Sequence, residues 1–216
     1  MFTLAIDTTA AFGSIALCDA DGIKEEILLH EPQGFSAALF EQIEALLARQ
    51  HVRLAEIELF AGASGPGSFT GVRIGLAAIK GLAEVLSKPA IAISNLEALS
   101  SFGIAALRAP VIDARRGEVY GGLYDSAGHA VVPEIVAPFP KLVSLLEGRD
   151  FEWISMDPEL FPSVAPSVTM TRAPRALAAA IARIAMQRLA NGAISEPAAI
   201  EANYVRRSDA ELLWKS

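Results

Sequence analysis

"LAIDTTAAFGSIALCDADGIKEEILL" (residues 4–29) and "APVIDARRGEVYGGLYDSAGHAVV" (residues 109–132) are two versions of one pattern. Each opens on a short apolar run that ends in Ile-Asp, turns through small or polar residues, and continues as two further runs. Asp21-Gly22 joins those runs in the first copy and Ser126-Ala127-Gly128 in the second. Such small, turn-tolerant residues between apolar runs mark hairpins. Each copy therefore predicts three strands, with Asp7 and Asp113 at equivalent points. A supersecondary unit that recurs along a chain indicates internal duplication and two related lobes.

Outward from the repeat, Ala37, Leu39, Phe40, Ile43, Leu46 and Leu47 recur at helical spacing between Ser36 and Arg49, and "IELFAGA" from Ile57 reads as a buried strand. A glycine-rich loop follows, then a helix from about Thr70 to Leu86. The strand "AIAI" comes next, and Ser94 is suited to cap a helix ending near Gly103. After the second copy come a helix over 141–146, the strand "FEWIS", a proline-punctuated loop over 158–166, and a helix from Pro174 to Ala190. The expected lobes are 1–104 and a smaller 105–216, with the last helix able to pack on either. This order of α/β elements, mixed sheets flanked by helices with the second lobe reduced, resembles the actin-like ATPase superfamily (ASKHA, ribonuclease H-like). That superfamily includes sugar kinases and heat-shock ATPases, and there the first hairpin of each lobe faces nucleotide phosphate or metal. A fold does not by itself carry function.

Hydrophobic residues make up 52% of the 216 and charged ones 20%, a globular composition. With 25 acidic against 18 basic residues, the net charge of -7 opposes autonomous binding to nucleic acid, which depends on neutralising phosphates. One cysteine, Cys18, leaves no intramolecular disulfide and fits a reducing compartment. "MFTLAID" lacks the basic lead-in of a signal peptide, and "RALAAAIARIAMQRLANG" is interrupted by Arg175, Arg183 and Arg188. A cytoplasmic protein is expected, with no membrane association.

"SGPGSFTGVRIG" (residues 64–75) tests for phosphate chemistry. A Walker loop needs a lysine after its last glycine. Gly62 and Gly67 have the spacing, but Ser68 and Phe69 follow. A dinucleotide loop starting at Gly65 and Gly67 needs a third glycine where Thr70 stands. The favoured reading is a tight strand-to-helix turn capped by Ser68 or Thr70, although amides at a helix start still attract anions. Thr8, Gly65, Gly67 and Ser68 are thus candidate anion-facing residues. On the helix, Gly71 and Gly75, like Ala77 and Gly81, lie four apart and leave smooth strips for a closely packed neighbour.

His30, His51 and His129 have no ligand spacing, and no Gly-x-Ser-x-Gly elbow occurs. Asp7 and Asp113 either hold magnesium through water or accept bonds from hairpin amides. Arg115-Arg116 and Arg206-Arg207 are the most basic spots, either solvated surface or contacts for an RNA or acidic partner.

Taken together, "AIDTTAAFGSIAL", "SGPGSFTGVRIGLAAIKGLA", "VIDARRGEVY" and "ANYVRR" closely resemble the bacterial TsaB (YeaZ) family, in the same order along essentially the whole chain. The resemblance implies a role in forming threonylcarbamoyladenosine beside the anticodon of tRNA. It implies a non-catalytic subunit that supports the catalytic paralogue TsaD together with the ATPase TsaE. Where TsaD carries two metal-binding histidines, this chain has Asn95 and Leu99, and an older glycoprotease label finds no chemical support. "WISMDPELFPS" lacks the glycine of a superfamily adenosine loop, and Phe35 lies near the place of a histidine found in many relatives. No intrinsic cofactor is therefore expected, with ATP or ADP and magnesium only at the partner interface. By the same resemblance the first two helices form a bundle with TsaD, or with a second copy in a homodimer, and tRNA is met only through the complex. That assigns the interface to Leu39, Ile43, Leu46, Gly71, Gly75, Ala78 and Leu82, and Asp113 and Arg115 to a possible anion-facing hairpin. Gly75→Arg or Ala78→Glu should then break the complex and leave a folded chain. The competing reading is an actin-like magnesium-ATP phosphotransferase or ATPase built around Asp7 and Asp113.

Overall fold

The computed structural model describes residues 1–30, 34–36, 38–161, 170–193 and 196–206. In chain order the elements are β1 (Phe2–Asp7), β2 (Phe12–Asp19), β3 (Gly22–His30), α1 (Leu39–Arg49), β4 (Ile57–Ala63), α2 (Phe69–Leu86), β5 (Ala90–Ile93) and α3 (Asn95–Ser100). They continue as β6 (Leu107–Asp113), β7 (Glu118–Asp125), β8 (Ala130–Pro138), α4 (Phe139–Leu146), β9 (Glu152–Ser155), β10 (Met170–Arg172) and α5 (Ala178–Ala190). Two compact units result. One comprises Met1–Asn95 and Arg175–Ala202, and the other Leu96–Pro174 with the segment from Asn203 onward.

The first unit holds a sheet of order β3-β2-β1-β4-β5, antiparallel from β3 to β1 and parallel from β1 to β5. Its register places Ser14 opposite Leu28 and Ala16 opposite Glu26, so these four share one face, and Ser14 and Glu26 bond the start of α5 there. Glu25 points to the other face, where Arg49 and Gln50 at the end of α1 bond it. Helices thus cover both faces, and Leu4, Ile6, Ile15, Leu17, Phe60 and Ile79 lie fully buried in the core.

The second unit repeats that topology as β8-β7-β6-β9-β10, again antiparallel on one side of β6 and parallel on the other. Trp153 and Leu142 anchor its core. Between β9 and β10 the described residues hold a single 3-10 turn, Pro158–Leu160, where the first unit has the 18-residue α2. Two mixed sheets of one topology with flanking helices form the actin-like, ribonuclease H-like architecture that the repeat predicts, with its second copy shortened.

Differences lie at element ends. α1 begins at Leu39 rather than Ser36, after a turn in which the Leu39 amide bonds the carbonyl of buried Phe35. Ala37, expected on its apolar face, lies outside the described residues. α5 begins at Ala178, four residues after Pro174, because the Leu177 and Ala178 amides both donate to Ser14 Oγ at 3.0 Å. The division falls between Asn95 and Leu96 rather than at 104, and α5 belongs to the first unit.

Candidate functional site

The glycine loop is fastened to the end of β1. Ser68 caps α2 by accepting the Gly71 amide at 3.3 Å, and its own amide donates to the Thr9 carbonyl at 2.6 Å. Thr8 Oγ1 donates to the Gly71 carbonyl at 2.7 Å. The backbones meet so closely that a Cβ on Gly71 would stand 1.9 Å from the Thr8 carbonyl oxygen, and one on Gly75 2.6 Å from Thr8 Oγ1. Any larger residue at 71 would push the two segments apart. The Gly71–Gly75 strip of α2 is therefore filled by the chain's own Thr8.

Asp7 lies beneath this junction, 2% exposed. Its Oδ1 accepts the Thr9 amide at 2.9 Å and the Thr9 hydroxyl at 2.6 Å, and its Oδ2 accepts from Asn95 Nδ2 at 3.3 Å. Asn95 ties the cluster together. Its Nδ2 also donates to Thr9 Oγ1 at 2.7 Å, its Oδ1 accepts the Gly65 amide at 3.0 Å, and its amide donates to the Gly65 carbonyl at 2.8 Å. Burial raises the Asp7 carboxyl pKa, opposed by the bonds from Thr9 and Asn95.

These contacts test the fit of a nucleotide or magnesium. A phosphate cradle needs outward amides, yet those of Gly65, Ser68 and Gly71 all donate inward. A hard cation needs accessible carboxylate oxygens, and Asp7 is buried, with three hydrogen bonds already on its carboxylate. Asp7 and these three amides are thus committed to the fold rather than to either group. Among the described residues, no three His, Cys, Asp or Glu side chains group as metal ligands.

Asp113 and Arg115 lie in the second unit, apart in the fold's division from the Asp7 cluster. Asp113 Oδ1 accepts the Arg115 amide at 2.8 Å, the bond that Asp7 makes with Thr9. Arg115 and Arg116 both have left-handed backbones, φ 64° and 58°, followed by Gly117 at 76°. For a side-chain-bearing residue that conformation costs roughly 1 kcal/mol or more. Arg206 is no solvated surface cation: it donates to the Ala114 carbonyl at 2.8 Å, pairs with Glu118, and sits over the Tyr120 ring. Arg207 lies outside the described residues.

The residues assigned to a partner interface require correction. Leu39, Ile43, Leu46, Gly71, Gly75 and Ala78 are buried in the first unit, and Leu82 is partly buried. Helical spacing identifies an apolar face, and here that face meets the chain's own sheet. Gly75→Arg and Ala78→Glu would accordingly break the fold itself. The outer side of α2 is a row at four-residue intervals, Phe69, Arg73, Ala77, Gly81 and Val85, all exposed, with Val85 at 83%. The Arg73 guanidinium lies 3.7 Å from the Phe69 ring centroid. Phe40 is the large exposed apolar residue of α1. Asp7 accepts a hairpin amide, that of Thr9, as one of its two sequence readings expects, but Asn95 was not recognised as its partner, and no local pattern marks a contact 88 residues distant.

Comparison with known proteins bears on this arrangement. The family model described as "TsaD: tRNA N6-adenosine threonylcarbamoyltransferase" matches residues 32–204. The tRNA threonylcarbamoyladenosine biosynthesis protein TsaB of Bacillus subtilis is 34% identical over 155 residues, 69% of this chain and 68% of that protein. TsaB of Haemophilus influenzae is 36% identical over 121 residues, 54% of this chain and 51% of that one, so the chain spans about half of that relative's length. The solved structure of YeaZ from Pseudomonas aeruginosa superposes with a TM-score of 0.78 at 26% identity, covering 94% of this chain and 99% of that one. No described helix is long and apolar enough to cross a membrane.

Proposed function

This chain belongs to the TsaB (YeaZ) family of tRNA threonylcarbamoyladenosine biosynthesis proteins, and we propose that it serves there as a non-catalytic subunit. Its work is to bind and support the catalytic paralogue TsaD, with the ATPase TsaE, while TsaD modifies the adenosine next to the anticodon. A homodimer through the same helices forms when TsaD is absent. ATP or ADP with magnesium belongs to the partner interface rather than to this chain alone.

One observation carries the reading: at the position where TsaD has its first metal-binding histidine, Asn95 is a staple joining Asp7, Thr9 and Gly65. Leu99, at the second, is fully buried and has no donor atom. A magnesium-dependent phosphotransferase would need Asp7 open, and it is buried and bonded to Thr9 and Asn95. The binding surface assigned to the subunit is the outer row of α2 with Phe40 of α1. There Ala77 and Gly81 allow a second helix to approach closely between Arg73 and Val85.

The test is co-purification with TsaD of an Ala77→Glu, Gly81→Arg double variant. Both positions are exposed, and a Cβ on Gly81 would meet nothing within 4 Å. Folding should change by under about 1 kcal/mol while the complex is lost and the reconstituted modification reaction falls to its level without this chain. Full co-purification of the double variant would refute the assigned surface. A modification reaction indifferent to the chain would refute the function.

A further inference from the structure

We propose that the β6–β7 hairpin is an RNA contact, in which Arg115 and Arg116 bind backbone phosphates of the substrate RNA on a turn that Arg206 holds in place. The proposal rests on the functional reading above, which supplies the RNA.

The turn itself does not call for arginine. Residues at positive φ are ordinarily glycine or asparagine, and here two arginines stand in that conformation in succession, ahead of Gly117. The Arg115 side chain is 82% exposed and its pairing with Asp113 is loose, at 3.5 Å. Arg116 is exposed as well. In the first copy of the repeat the residues at this place are Thr9, whose hydroxyl turns inward to Asp7, and Ala10, which is exposed. The second copy carries two exposed cations where the first has a threonine and an alanine.

The hairpin is also fixed before any ligand arrives. Ala114 and Glu118 close it with backbone bonds, Asp113 holds the Arg115 amide, and Arg206 clamps the Ala114 carbonyl and Glu118 from the C-terminal segment. Asn203 fastens that segment by donating to Glu134 Oε2 at 2.5 Å, and Tyr124 donates to Oε1 of the same carboxylate. Arg206 touches no ligand in this scheme and is a positioning residue. Preorganisation lowers the entropy lost on binding.

Guanidinium forks match phosphate oxygens in geometry and charge. A mononucleotide is held in a concavity that buries most of its surface, which an 82% exposed guanidinium does not provide. Contacts to an RNA backbone need no enclosure. In a chain of net charge -7, the described residues of this turn and its clamp include the guanidinium groups of Arg115, Arg116 and Arg206.

The experiment measures binding of unmodified tRNA to the assembled complex by fluorescence anisotropy over a salt series, with the wild-type chain and with Arg115→Gly, Arg116→Gly. Affinity at low salt should fall about tenfold, and the plot of log affinity against log salt should become shallower by roughly 1 to 2, the signature of lost phosphate contacts. Glycine accepts the left-handed backbone, so the variant's Tm should be unchanged or higher and TsaD should still co-purify. The lysine pair, Arg115→Lys and Arg116→Lys, should restore the salt slope. Arg206→Met should lower affinity and leave the slope near wild type, which mere unfolding would not do.

An unchanged affinity and slope in the glycine variant would overturn the proposal. So would loss of TsaD co-purification, which would make the hairpin a protein contact, or weakened magnesium-ATP binding with tRNA binding intact. If omitting the wild-type chain leaves tRNA binding and modification unaltered, the functional reading falls together with this one.

Discussion

Replacing Asn95 by alanine removes a side chain that makes three hydrogen bonds, to Gly65, Thr9 and Asp7, and leaves buried groups without partners. An unpaired buried amide such as that of Gly65 costs about 1–3 kcal/mol, and a carboxylate deprived of a donor costs as much or more. Thr9 Oγ1 keeps its bond to Asp7 and adds little. Together the loss should reach about 3–5 kcal/mol. Because the chain has two units, a single global unfolding energy is not well defined, and the assay should be local. Hydrogen exchange by NMR at the Gly65 and Ser68 amides reports this junction directly. At 1.4 kcal/mol per factor of ten, both should exchange roughly a thousandfold faster in Asn95→Ala. Ser101→Ala, which removes one bond to the Ala98 carbonyl, serves as the control, with a change of about tenfold or less. Gly65 exchange within tenfold of wild type in Asn95→Ala would refute the claim that Asn95 holds the loop.

Two further outcomes follow from the same unit. Gly71→Ala should destabilise it by about 3 kcal/mol or more, because its Cβ would meet the Thr8 carbonyl at 1.9 Å, whereas Gly81→Ala, in open space on the same helix, should stabilise it by about 0.5–1 kcal/mol. Thermal melts that rank the two alike would contradict the packing. Burial, and then the charge of Asp7, raise the Glu26 carboxyl pKa, opposed by bonds from the Ala179 and Ala178 amides, so the folded state holds that proton more tightly than the unfolded chain does. A group of that kind makes stability fall as pH rises from the ordinary glutamate range through its raised value. Glu26→Gln should flatten the urea-midpoint profile across that window, and an unchanged slope would exclude Glu26 as its source.

The duplicated sheet was legible because hairpin chemistry is local: Asp21-Gly22 and Ser126-Ala127-Gly128 announce their turns within a few residues. The capping of α2 by Ser68 was readable for the same reason. Periodicity is silent about what an apolar face meets, and so Leu39, Ile43 and Leu46 read equally well as core or as interface. Asn95 was read from the sequence as a metal ligand that had been lost. Its role depends on Asp7 and Gly65, both distant in sequence, and only the parallel pairing of β1 with β4 and of β4 with β5 brings those segments together. The start of α5 is set by Ser14 and Glu26, more than 150 residues earlier, which propensity within 174–178 could not register.

α5 lies late in the chain and belongs to the early unit. As the protein leaves the ribosome, β1 to β5 emerge well before the alanine-rich helix that covers one face of their sheet, and both strands and helix of the second unit, β6 to β10 with α4, are synthesised in between. Until then Ser14 and Glu26 wait without the amides they cap. A stop anywhere before Arg175 therefore yields a first unit with a bare apolar face. The two units, though copies of one motif, are not consecutive stretches of chain: the first waits for α5, and the second takes up the segment from Asn203 that follows it.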